Sequence, residues 1–392
     1  MDFFGYKRAD GSIGVRNYLI VIPSVFCANH VAKQIAANVP NAVCLTHSVG
    51  CSQVGEDLEQ TARTLKNLAT HSNVGGVLIV GLGCERFTVQ EFYEAVRENG
   101  KIVEKVVIQD VGDSIKAIAE GTEKLQKLKM EVNKYKRHKV EISNLTIGLE
   151  CGGTDATSGF AANPAIGKTS DLLIEAGGSS VFSETTELLG AEHILKRRCI
   201  NDKVASSMLE SVKKTESELA LSTSKERYKH RSDLISTGNF DGGVSTVVEK
   251  ALGNIHKTGT SPIVGAIKFA EKLKVKGLNF MDTPGQDGES TTGLVAGGAQ
   301  IILFTTGRGT PTGFPIAPVL KITGNNDTYE KMELNIDINA GRIVLGETDI
   351  DNMGKYILDN VIEVASGKKT KAEILGHEEL FNIPRVLNYC GK

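Results

Sequence analysis

The sequence predicts an α/β protein of two units, each alternating parallel strands with helices. Three observations carry that expectation. Short β-branched runs recur between amphipathic helical stretches, the pattern of a parallel sheet covered on both faces. Glycine is abundant, at 42 of 392 residues, which suits sites built from tight loops. Polar or glycine-rich turns also follow strand after strand, at the ends where open parallel sheets bind ligands.

Taken in order, Tyr18–Pro23 is an unbroken apolar run suited to a buried strand. A helix over about 29–37 and a short strand over 42–46 follow. The next helix, from 55 to about 70, sets Leu58, Ala62, Leu65 and Ala69 on one face at helical spacing. Strands at 77–80 and 103–108 complete the first unit, which ends in a long helix through about residue 139. Residues 124–139 are rich in Lys and Arg. A solvated helix face running into a linker accounts for them better than a nucleic-acid patch, because only Tyr135 interleaves the charges. The domain boundary is placed there, giving domains at 1–139 and 140–392.

The second unit restarts with a strand at 145–149 and a glycine-rich turn, Cys151-Gly152-Gly153-Thr154-Asp155. Further strands are expected at 180–183, 278–282 and 300–305, with helices between them. This makes the C-terminal unit a Rossmann-like variant with a mostly parallel sheet. The polar stretch 201–231 reads as two surface helices joined by a loop.

Composition narrows the function. Lys and Arg total 45 against 47 Asp and Glu, a net charge of −2, so the basic field of a nucleic-acid or membrane-surface binder is absent. No window reaches the ~18–20 apolar residues of a membrane span, and the first residues do not read as a secretory signal. Seven scattered cysteines without framework spacing imply free thiols in a reducing cytoplasm.

Six strand ends deliver candidate chemistry to one rim. The turns begin at Thr46, Gly81, Glu150, Ser183, Asp282 and Thr305. Cys51, Cys84 and Cys151 each sit beside glycine in such turns, with His47 four residues before Cys51. Thiolate and imidazole suit iron or zinc. Any one of these cysteines reads more readily as a small buried hydrophobe; the three together read as either a site or packing. Their spacing fits no zinc finger and no compact iron–sulfur motif. Cys27, Cys44, Cys199 and Cys390 read as packing or surface residues. Glu184, at a strand end, and His193, in the following helix, form a candidate acid–base pair. Arg308, between two glycines, is suited to hold a carboxylate bidentately, and Arg16-Asn17 offers a second such group. The glycine-rich turns match neither a dinucleotide fingerprint nor a Walker A sequence, which disfavours nucleotide binding.

Together these stretches resemble the altronate/galactarate dehydratase family, iron-dependent sugar-acid dehydratases of bacteria. The resemblance runs from Gly5-Tyr6-Lys7-Arg8 through Thr46-His47-Ser48-Val49-Gly50-Cys51 and Gly81-Leu82-Gly83-Cys84-Glu85 to Phe304-Thr305-Thr306-Gly307-Arg308-Gly309. Its most specific part is Cys151-Gly152-Gly153-Thr154-Asp155 with Ala162-Asn163-Pro164-Ala165. It extends to the large subunit of sulfolactate sulfo-lyase. The resemblance implies a hydro-lyase that converts a sugar acid to a 2-keto-3-deoxy acid using Fe(II), with Mn(II) as second choice. The metal is expected among His47, Cys51, Cys84 and Cys151, with hard oxygen ligands such as Glu184 and Asp282 as the alternative shell. Glu184 and His193 are expected to do acid–base work. Arg16, Asn17, Asp155, Asn163, Asp282, Thr306 and Arg308 are expected to meet the substrate. The resemblance further implies a homodimer formed through the first domain, and a small β-rich domain supplied by a separate chain or lacking here. The rival readings are a sulfo-lyase large subunit and a non-catalytic sugar-acid-binding subunit.

Overall fold

The computed structural model describes residues 1–222 and 235–386, except for the side chains of residues 221 and 222. The first 141 residues contain β1 (Asp2–Lys7), β2 (Ile13–Gly14), β3 (Tyr18–Pro23), β4 (Ala42–Cys44), β5 (Val74–Gly81), β6 (Ile102–Val107) and β7 (Arg137–Glu141). Beyond them lie β8 (Thr146–Cys151), β9 (Ser179–Phe182), β10 (Ile263–Ile267), β11 (Leu278–Met281), β12 (Ile301–Thr305), β13 (Val319–Thr323) and β14 (Ile338–Asn339). Among the described residues they form three sheets. A four-stranded parallel sheet has the order β4-β3-β5-β6, and a seven-stranded one the order β10-β11-β9-β8-β12-β13-β14. The third is a small antiparallel sheet, β2-β1-β7.

The expected α/β class with parallel sheets is what forms. Apolar runs decide it: every residue of β5 is buried, as are five of the six in β3, so these strands need helices on both faces. In the large sheet the chain steps from β8 outward to β9 on one side and later to β12 on the other. That reversal opens a crevice beyond the carboxyl end of β8.

The basic stretch behaves differently from expectation. The helix Ser114–Val132 stops at Asn133, and Arg137–Glu141 becomes a strand antiparallel to β1. Arg137 lies over the Tyr6 ring at 4.6 Å and donates to the Val15 carbonyl at 2.8 Å. Three of the five residues of that strand, His138, Lys139 and Glu141, are polar and exposed, so no apolar alternation announces it. Of the stretch 201–231, Asp202–Ser222 is a single helix; the second expected helix lies outside the described residues, as does Cys390.

The two parallel sheets are joined through a shared core. Leu65 and Leu68 of the helix Gly55–Ala69 pack with Leu294 and Val295 of the helix Asp287–Ala296, and with Ile302 and Phe304 of β12. Buried polar groups fix the alignment. Asn73 donates to the carbonyls of Gln300 and Ile316, both at 3.0 Å, and His71 Nε2 bonds the Ala299 carbonyl at 3.2 Å. Among the described residues no helix is long and apolar enough to cross a membrane.

Candidate active site

The crevice beyond β8 holds a buried nest of charge. Glu150 is the fifth residue of β8, with no exposed surface. Its Oε2 accepts from Ser290 at 2.8 Å, while its Oε1 has no hydrogen-bond partner. Glu184 follows β9 in a left-handed conformation, φ 66°, which a side chain with a Cβ adopts only when its surroundings enforce it. The enforcing contacts are its own N–H to Thr283 Oγ1 at 2.8 Å and its Oε2, which accepts the Cys151 N–H at 3.1 Å and the Lys257 ammonium. Glu184 Oε1 is buried without a partner. Glu187 takes Lys250 Nζ at 2.5 Å through Oε1, and its Oε2 is buried without a hydrogen bond, 4.0 Å from Lys257 Nζ. Asp287 opens the helix after β11.

Four carboxylates therefore surround two ammonium groups, a formal surplus of two negative charges when all four are ionised. The titration directions agree. Burial, then Glu187, pushes the Glu184 carboxyl up to about 8 despite Lys257. Burial and Glu187 push Asp287 up to about 6, and burial with Glu184 holds Glu150 well above the usual carboxylate range. Burial alone would lower Lys257 and Lys250; Glu184 and Glu187 raise the first, and Glu187 chiefly raises the second. Oxygen atoms of Glu150, Glu184 and Asp287 lie within 4.8 Å of one another. Unpartnered oxygens, a surplus of two charges and hard donors suit one divalent cation.

Above this nest opens a cleft of about 560 Å³, walled by Gly152, Gly153, Glu187, Lys250 and Asp287 among others. The turns after β8 and β12 are pressed together at its edge. The Gly307 N–H donates to the Gly153 carbonyl at 2.8 Å, and a Cβ on Gly307 would come within 2.4 Å of the Asp155 carboxylate. Arg308 lies on the same edge, its stem beside Gly153. Its side chain is exposed, with no hydrogen-bond partner among the described residues.

Residues 142–386 match the family D-galactarate/altronate dehydratase, C-terminal, and residues 5–133 match D-galactarate dehydratase/altronate hydrolase, second domain. The chain belongs to the galactarate/altronate dehydratase family. An altronate dehydratase of Bacillus subtilis (strain 168) is 37% identical over 96% of this chain and 76% of its own length. A galactarate dehydratase (L-threo-forming) of Escherichia coli (strain K12) is 37% identical over 94% of this chain and 73% of its own. The (2R)-sulfolactate sulfo-lyase subunit beta of Chromohalobacter salexigens is 34% identical, over 96% of both chains. The protein is an enzyme of the hydro-lyase class.

The dehydratase fold distributes the sequence-predicted residues unevenly. Cys151 caps β8, buried, its thiol raised by burial and then by Glu187. Cys51 and Cys84 are exposed on the rim of the other sheet, so the four expected soft ligands do not converge. His47 is not free to ligate. Its Nε2 donates to the Pro23 carbonyl at 2.7 Å and its Nδ1 accepts the Val49 N–H at 3.3 Å, and burial pushes it down to about 4. His193 is exposed on the short helix Glu192–Lys196 and makes no bond to the carboxylates. Arg16 spends all five donors on Glu373 and the carbonyls of Val15, Val364 and Lys368, which makes it a clasp between chain ends. Asn17 is held by Arg8 and the Val132 carbonyl.

Other predicted residues build the crevice from behind. Asp155 accepts from Thr157, Ser158 and Asn325. Asn163 bonds Thr305 and the Gly253 carbonyl, Thr306 ties the β12 turn to Gly309 at 2.9 Å, and Asp282 accepts from Thr185 at 2.7 Å. Sequence reasoning missed Glu150, Glu187, Asp287, Lys250 and Lys257. Glu150 did leave a signal, a carboxylate inside an apolar strand. The lysines left none, because only the fold brings their helix and turn across the sheet.

Proposed function

We propose that the enzyme removes water from a sugar acid such as altronate or galactarate, giving a 2-keto-3-deoxy acid. Glu150, Glu184 and Asp287 would hold a divalent cation, Fe(II) before Mn(II). The observation that carries this reading is the buried surplus of carboxylate with unpartnered oxygens, in a family whose relatives are named for dehydrating those acids. Bound there, the cation supplies Lewis acidity toward the substrate carboxylate and departing hydroxyl. The chain's own groups do the rest. The α-proton is weakly acidic, so a base must meet it within hydrogen-bond reach. Glu187 Oε2, which accepts no hydrogen bond beside the cleft, takes that role, and Lys250 holds Glu187 in place. Arg308 reaches from the cleft edge to a substrate carboxylate. Residues 140–392 would form the catalytic domain and residues 1–139 the bracing and dimer-forming one. A small β-rich partner chain is part of the proposal, supported by the subunit name of one relative.

The test is an anaerobic assay of the chelated chain, with and without Fe(II) or Mn(II), alone and with a separately expressed β-rich subunit. Keto acid formed from altronate or galactarate only with cation supports the reading. Full turnover by metal-free protein removes the cation from it. The similarity to the sulfo-lyase subunit favours a second reading, elimination of sulfite from sulfolactate. Sulfite release without dehydration of sugar acids would select it.

A further inference from the structure

The rim of the four-stranded sheet repeats one feature three times. Cys27 follows β3, Cys51 follows β4 and Cys84 follows β5, and these strands are neighbours in the order β4-β3-β5. All three thiols are exposed. Twenty-four and thirty-three residues separate them along the chain, so no linear motif reveals the set.

The three turns are stitched to one another. The Phe26 N–H donates to the Val49 carbonyl at 3.0 Å, and Asn29 Nδ2 donates to the His47 carbonyl at 2.8 Å. Gly50, at φ 98°, lets the second turn lie on the first; a Cβ there would meet the Ser24 carbonyl at 2.5 Å. The Ser24 N–H donates to the Val80 carbonyl at 3.0 Å, and its hydroxyl donates to Glu85 in the third turn. The thiols are close enough to sense one another: Cys27 is raised first by desolvation, then by Cys51 and Cys84.

A single tetrahedral ion with metal–sulfur bonds of about 2.3 Å would draw three sulfurs within about 4 Å of each other. These three do not form such a compact group; the trio found within 4.8 Å among the described residues is the carboxylate one. A polynuclear cluster spaces its thiolates further apart, because each sulfur binds a different iron. We propose that Cys27, Cys51 and Cys84 are a three-thiolate site for an iron–sulfur cluster of the [4Fe–4S] type, with the fourth iron lacking a protein ligand. The neighbouring donors support that last point. Both nitrogens of His47 are engaged, and Glu85 is spent on Ser24 and the N–H groups of Leu82 and Gly83.

Loading from a preassembled cluster needs no oxidant. Three cysteine S–H bonds break and three iron–sulfur bonds form, while three small thiolate ligands of the cluster leave as thiols carrying those protons. The cluster keeps its oxidation state. The site is distinct from the carboxylate nest, and the proposal does not rest on the dehydratase reading.

The test mixes the full chain, anaerobically, with a preassembled [4Fe–4S] cluster carrying 2-mercaptoethanol ligands, followed by desalting. About four iron and four labile sulfide per chain are expected, with the visible charge-transfer absorption of such clusters. Cys27→Ser, Cys51→Ser and Cys84→Ser should each lower retained cluster on the order of tenfold or more. Cys44→Ser and Cys199→Ser should match wild type. Cluster loading should also shield the three thiols, and not Cys44 or Cys199, from iodoacetamide, which tests the wild-type chain without any variant. The proposal is overturned if wild type retains no cluster, if iron binds without sulfide, if the three variants load like wild type, or if the three thiols alkylate equally with and without cluster.

Discussion

The protein carries two parallel-sheet rims built by the same rule and filled with opposite chemistry. On the four-stranded sheet the turns present soft thiols to solvent. On the seven-stranded sheet they bury hard carboxylates and two lysines, with Glu150, Glu184 and Lys257 wholly covered. The backbone logic is shared: apolar parallel strands place their carboxyl ends side by side, and the turns beyond them are free to carry function. What differs is cover. The helix Val247–Asn254 and the turn after it supply Lys250 and Lys257 to the large sheet, and charge under cover must balance. Exposed thiols carry no such constraint. The comparison teaches that one rim is a charge network held together under cover, while the other keeps its groups in contact with solvent.

The strongest attempt to break that contrast removes a buried ammonium. Lys257→Met leaves Glu184 without its counter-charge and Glu187 with Lys250 alone, and should cost about 3–5 kcal/mol of stability in a denaturant titration. Cys84→Ser on the exposed rim should stay within about 0.5 kcal/mol. Equal effects would mean that the large-sheet rim is not coupled. Glu187→Gln sharpens the function side: turnover should fall by roughly 10²–10⁴ while folding is kept, since the amide retains the shape beside Lys250. Near-normal turnover would take the proton-transfer role away from Glu187.

Acid should reach the protein through the four-stranded sheet and its seam with the larger one. His47 is depressed to about 4 and His71 to about 3, burial being the main cause in each, and the charge of Lys101 adds to the effect at His71. Each folded-state value lies below the unfolded one, so the unfolded chain binds more protons between them. The stability these residues contribute is complete above about pH 6.5 and is lost as pH falls toward about 4 for His47 and about 3 for His71, at roughly 3 kcal/mol or more per histidine. Melting curves from pH 7 to 4.5 should drop steeply. A flat profile would show that neither histidine is held neutral by the fold.

The smallest effect belongs to Arg308, which is exposed and joined to neither buried network. Arg308→Ala should weaken a sugar acid by ~1.5–3 kcal/mol, and Arg308→Lys by less, because only the guanidinium binds a carboxylate bidentately. A neutral lactone should bind both variants as it binds wild type. Equal weakening of acid and lactone would make Arg308 a loop-shaping residue.

From the sequence alone came the α/β class, the strands with continuous apolar runs, the turns at their ends, and a family resemblance carried by motifs such as Cys151-Gly152-Gly153-Thr154-Asp155. These are local properties: a strand such as Val74–Gly81 is legible because each of its residues is buried. Strands with a weak local signal were not legible. Arg137–Glu141 is charged and largely exposed, and its pairing with Asp2–Lys7 closes over the whole four-stranded sheet between them. The site divides in the same way. Glu184 and Arg308 were visible because strand-end turns are visible. Arg16 and His47 looked chemical in sequence, yet the fold uses up their donors on carbonyls, and on Glu373 for Arg16. Only tertiary structure could bring Lys250, Lys257 and Asp287 to Glu150, or Cys27 to Cys51 and Cys84. Charge balance and thiol convergence are properties of strand order and burial, and one-dimensional spacing carries neither.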